Sequence, residues 1–218
     1  MIIIICNPKG GAGRSTIALN LAAAAAASGA STLVIDTDKS RAIDQAFKRR
    51  GLLTETFKTY EIDQFVNYGS NFPERLTYAA SKYDVTILDT PAEINSRIHQ
   101  LIYLSDVVVV PTSAGCQDLE KTIEFLSELT IMRQYRPTFK VLGLLNQWGD
   151  AETFNAIALK ALRRSSGDLP LLHSAMHHRS EYTTAFTFGL GALEYDPDSE
   201  AAAESKAIYN EIRWATRQ

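Results

Sequence analysis

The sequence predicts an α/β fold: a single domain built on a mostly parallel sheet with helices on both faces. Three observations predict it. Short aliphatic and β-branched runs recur at Ile2–Cys6, Thr32–Asp36, Val85–Asp89, Val107–Val110, Lys140–Leu145 and Pro170–His173. They are apolar almost throughout rather than alternating, as in strands buried on both sides. Helical periodicity fills most of the gaps, and strands alternating with helices are the pattern of a parallel sheet with crossover helices.

The elements follow in order. After the first strand, the alanine run Ala22–Ala27 belongs to a helix, and a further helix is expected over Ser40–Lys48. Thr54–Tyr78 is the least regular stretch and reads as a lobe or loop. Leu119, Thr122, Ile123, Leu126 and Leu129 or Thr130 fall on one stripe, and Phe154, Ile157, Ala158, Ala161 and Leu162 on another, so both segments are core-facing helices. From Glu200 to Arg217 a last helix places Ile208, Ile212 and Ala215 on a narrow apolar stripe, opposite Lys206, Asn210, Arg213 and Arg217.

Bulk properties narrow the function. The chain has 218 residues, enough for one domain of ordinary core size. It contains no apolar run near the ~20 residues that a bilayer span requires. The apolar start lacks a basic leader and a cleavage site, so it is expected to be a strand, and the protein cytoplasmic. Cys6 and Cys116 support neither a disulfide framework nor a four-ligand metal site. With a formal net charge of −3, binding to a polyanion would have to come from a local basic patch.

The chemistry gathers at strand ends, where ligands of such sheets sit. The first strand runs into Asn7-Pro8-Lys9-Gly10-Gly11-Ala12-Gly13-Arg14-Ser15-Thr16. Its glycines let backbone N–H groups close on an anion, and the following helix offers its positive end, so residues 10–16 read as a phosphate cradle. Pro8 occupies the first glycine position of the usual loop, and Arg14 stands where lysine is expected. Ser15 supplies a hydroxyl for Mg²⁺, with Asp89 as carboxylate partner; the alternative for Asp89 is a cap or turn residue. Asp36 is assigned to outer Mg²⁺ support and Asp38 to positioning an attacking water, the alternative being a pair of helix-capping aspartates.

The string from Lys9 to Thr16, with its extra lysine before the glycines, resembles the deviant Walker A loop of the ParA/MinD family of dimerising ATPases. Asp36-Thr37-Asp38, Asp89-Thr90-Pro91, the segment from Pro111 to Leu119 and the tail from Arg179 to Ala201 resemble later landmarks of that family, most closely its small plasmid-partitioning members. The resemblance implies a P-loop NTPase fold, ATP and Mg²⁺ as cofactors, and a sandwich dimer formed on ATP binding. It further implies that Lys9 crosses to the partner's nucleotide and that Asn146 lies near the adenine. It implies non-specific DNA binding and a separate centromere-binding or cargo adaptor protein, since no DNA-reading domain precedes the loop.

Arg14 keeps the charge of the family lysine but not its shape, so slow hydrolysis is expected, by roughly one to three orders of magnitude or ~1.4 to 4 kcal/mol of transition-state stabilisation. A nucleotide-binding scaffold with little or no hydrolysis is the competing reading. The narrow stripe of the last helix argues against membrane insertion. Arg163, Arg164, Arg179, Lys206 and Arg213 form the candidate DNA-contacting stripe, the alternative being ordinary solvated faces.

Overall fold

The computed structural model describes residues 1–53, 55–66, 72–113, 116–135, 138–148, 160 and 170–217. Its strands are β1 (Ile2–Ile5), β2 (Thr32–Asp36), β3 (Asp63–Val66), β4 (Val85–Asp89), β5 (Val107–Thr112), β6 (Lys140–Trp148) and β7 (Met176–His177). They form one sheet in the order β3-β2-β4-β1-β5-β6-β7, and every pairing is parallel.

Between and after the strands lie α1 (Arg14–Ala27), α2 (Ala42–Arg50), α3 (Phe72–Ala80), α4 (Ser96–Leu104), α5 (Cys116–Tyr135), α6 (Ser180–Thr187), α7 (Ala192–Tyr195) and α8 (Glu200–Ala215). Side-chain alternation along the strands divides the core in two. Ile3, Ile5, Val34 and Ile87 pack with residues of α1, α2, α6, α7 and α8. Ile4, Cys6, Ile35 and Leu88 pack with residues of α3, α4 and α5. Burial on both faces is why these strands read as continuous apolar runs.

Two expectations need correction. The stretch Thr54–Tyr78 contains the edge strand β3 and the start of α3. Its signal was weak because β3 is short and half exposed, with Phe65 40% accessible. The run Pro170–His173 is not a strand: only Leu171 bridges to Gly143, and the edge strand begins at Met176. The stripe Phe154–Leu162 lies outside the described residues, as do Arg163 and Arg164.

The tail closes over α1 and α2 through glycine. At Gly189 (φ +75) a Cβ would fall 1.9 Å from the Ala46 carbonyl oxygen, and at Gly191 it would fall 2.6 Å from the Ala23 Cβ. Arg50, at the end of α2, forms a buried ion pair with Glu194 at 2.5 Å. Glu194 also accepts from the amides of Tyr60 and Gly191, so no lone carboxylate is left in the core there.

Candidate nucleotide and metal site

The ends of β1, β2, β4, β5 and β6 converge on the loop between β1 and α1. Gly11 and Gly13 adopt φ of 74° and 78°, the left-handed region that glycine enters without strain. Gly13 precedes α1 directly, and a Cβ there would lie 2.5 Å from Asn146 Nδ2. Asn146 itself donates to the Ala12 carbonyl at 2.8 Å, which pins the second half of the loop to β6. The first half is held by Asn7, whose Oδ1 accepts from the Lys9 amide while Nδ2 donates to the Pro111 carbonyl and Thr122 Oγ1. Gly10 and Gly11 stay exposed, and Arg14, Ser15 and Thr16 form the half-buried first turn of α1.

Ser15 Oγ donates to Asp89 Oδ2 at 2.6 Å. Asp89 is fully buried, and its Oδ1 has no hydrogen-bond partner among the described residues. Burial pushes its carboxyl up to about 7, against the opposing pull of the Ser15 hydrogen bond. A buried acceptor without a donor is costly. Hydrated Mg²⁺ needs just such an oxygen beside a hydroxyl, because it keeps most of its waters and takes one or two protein oxygens. Ser15 and Asp89 therefore fit the ion, and the open cradle of residues 10–16 fits a polyphosphate.

Asp36 stands in register with Asp89 on the neighbouring strand. Its oxygens are engaged otherwise: Oδ1 accepts from the Asp38 amide, and Oδ2 from the amides of Ile43 and Asp44 at the start of α2. Helix capping thus describes Asp36 as it stands, and burial raises its carboxyl above the ordinary value. Asp38 accepts from the Ser40 amide and faces a cleft of about 480 Å³ shared with Arg14, Thr37 and Pro91. Lys9 extends to Ser113 Oγ, 3.1 Å away beyond β5.

Arg14 does not simply project into the cradle. Its Nε donates to the Thr90 carbonyl, and its Nη1 donates to the carbonyls of Asn7 and Lys9. Asn7 and Thr90 are site residues to which the sequence pattern assigned no role. An asparagine directly after a buried strand was the available signal for the first, and the second was marked only as part of Asp89-Thr90-Pro91, without a role of its own.

The candidate cations separate into two environments. Arg179 is paired with Glu200 and Glu204, and Glu204 also accepts from Tyr182 Oη and meets His177 Nδ1 at 2.7 Å. Lys206 and Arg213 lie on the exposed face of α8 with Asn210, Trp214 and, just beyond, Arg217. Trp214 is 66% accessible. The glutamates of α8 all point elsewhere: Glu200 and Glu204 to Arg179, and Glu211 to the amides of His173 and Ser174. Among the described residues, no helix is long and apolar enough to cross a membrane.

A parallel sheet whose central strand feeds a glycine loop, with a hydroxyl and a buried carboxylate at its base, defines a nucleotide-binding α/β protein. Residues 3–192 match the family described as the CobQ/CobB/MinD/ParA nucleotide binding domain, and the chain belongs to that family. It is 23% identical to the maintenance of carboxysome distribution protein A of Halothiobacillus neapolitanus over 96% of this chain and 95% of that protein. It is 24% identical to the chromosome-partitioning ATPase Soj of Thermus thermophilus over 96% of this chain and 94% of that one. The fold matches the septum site-determining protein MinD of Pyrococcus horikoshii, solved with Mg-ADP, with a TM-score of 0.73, 20% identity and coverage of 97% and 95%.

Proposed function

We propose that this protein is an Mg²⁺- and ATP-dependent dimerising switch that binds DNA non-specifically and partitions a plasmid or positions similar cargo. The observation that carries the reading is the second cation of the loop. Arg14 already supplies a positive charge, yet Lys9 adds another ahead of the glycines, and its ammonium donates to Ser113 Oγ just past the end of β5. A cation in that place suits a partner's nucleotide across a dimer interface, where it would stabilise charge on the transferring phosphoryl group. Relatives named for chromosome partitioning and carboxysome distribution support the cellular role.

The chemistry that bound Mg²⁺ would supply here is to offset the negative charge of the phosphates. In this reading Ser15 and Asp89 hold the ion, residues 10–16 hold the phosphates, Asp38 orients the attacking water, and Asn146 lies beside the base. The cationic face of α8 binds DNA phosphates, and a separate adaptor supplies locus or cargo specificity. The test is light scattering with a salt-titrated DNA shift assay, without nucleotide and with ADP or ATP, each with Mg²⁺. ATP alone should yield a dimer that binds DNA of any sequence; unchanged mass and affinity with ATP would overturn the reading.

The commitment of Arg14 to backbone carbonyls favours a second reading, a nucleotide-binding scaffold with little or no hydrolysis that recruits partners. Turnover separates the two. A measurable ATPase rate stimulated by DNA or adaptor belongs to the switch, and its absence under ATP-bound dimerisation belongs to the scaffold.

A further inference from the structure

We propose that Arg14 is a positioning residue that fastens the phosphate loop before nucleotide arrives and keeps one edge of its guanidinium for a phosphate oxygen; the second half rests on the nucleotide-binding reading above. From the first turn of α1 the side chain folds back over the loop. Its Nε lies 2.7 Å from the Thr90 carbonyl, and its Nη1 lies 2.8 Å from that of Asn7 and 2.5 Å from that of Lys9. One planar group thereby ties the exit of β1, the loop's other cation and the exit of β4.

Those bonds occupy three of the five guanidinium N–H donors. Nη2 makes no hydrogen bond among the described residues, and Arg14 lines the cleft shared with Asp38 and Pro91. A lysine has one nitrogen on a flexible stem, which cannot span carbonyls at two strand exits and still face a phosphate. With Asn7 and Asn146 holding the rest of the loop, Arg14 completes a cradle whose shape precedes its ligand. Preorganisation lowers the ordering cost of binding. A donor anchored to carbonyls, however, cannot follow charge as it moves toward the leaving oxygen. Binding gains and turnover loses.

The test compares wild type, Arg14→Lys and Arg14→Gln. Amide hydrogen exchange over residues 7–16 is measured without nucleotide, and kcat and KM are measured with Mg²⁺ and ATP. Both variants should exchange in the loop about tenfold faster or more. Arg14→Lys should raise KM and kcat together, while Arg14→Gln raises KM and lowers kcat. Unchanged exchange in both variants overturns the clamp, and faster exchange with unaltered KM overturns the phosphate edge. Because exchange is read in the nucleotide-free protein, the clamp is decided even if ATP does not bind.

Discussion

Asp36 and Asp89 stand opposite each other on β2 and β4, both fully buried, yet their oxygens are served unequally. Three amides donate to Asp36, whereas Asp89 receives one hydroxyl and its Oδ1 has no partner among the described residues. The same residue type thus stands in two settings side by side: Asp36 is engaged by the start of α2, and Asp89 keeps one buried oxygen without a donor among the described residues.

Asp89→Asn should leave the fold intact and remove the Mg²⁺ dependence of nucleotide binding. Asp36→Asn should instead destabilise the protein by about 1–3 kcal/mol, because an amide nitrogen would face donors. Urea unfolding and ATP titration with and without Mg²⁺ distinguish them. Equal effects of both substitutions on metal dependence would contradict the division of labour.

Glu204 sets an acid limit. Burial alone would raise its carboxyl, but hydrogen bonds from Arg179, Tyr182 and His177 outweigh it and hold the group below its ordinary value of 4.5. A lowered folded pKa contributes stability that is present above 4.5 and lost as pH falls through the lowered value. Denaturation midpoints taken from about pH 6 to about pH 3 should therefore drop, and Glu204→Gln should flatten that part of the profile.

Charge segregation on α8 predicts which cations matter for DNA. Replacing Lys206, Arg213 and Arg217 together by alanine should weaken binding to any sequence and reduce the salt slope by about 0.9 per phosphate no longer neutralised. Arg179→Ala should change the slope less, since Glu200 and Glu204 already compensate that charge. A slope that responds to Arg179 and not to the triple change would place DNA on the other face.

The buried pair between Arg50 and Glu194 joins α2 to the tail. Removing one partner leaves the other charged and buried, so Glu194→Ala should cost about 3–5 kcal/mol in chemical denaturation. A loss under about 1 kcal/mol would mean that water or a neighbour replaces the carboxylate.

The strands β1, β2, β4, β5 and β6 were legible because burial on both faces leaves an uninterrupted apolar run. β3 and β7 were not, being edge strands of four and two residues with mixed burial. Ser15 and Asp89 were singled out because a hydroxyl after a glycine loop and a carboxylate after a buried strand are local signals, and the structure brings the two together. Arg179 was read as a candidate phosphate contact, but its charge is answered by glutamates from α8, which no local pattern announces.

The sequence by itself determined the central strands, their parallel sheet and the glycine loop after the first of them, since these rest on short-range periodicity and on what glycine permits. Only the tertiary structure decided how the charges are used. Arg14 meets the Thr90 carbonyl across 76 residues and Arg179 meets Glu204 across 25. Such pairings follow from which strand exits and helix faces become neighbours, and folding in three dimensions makes that choice.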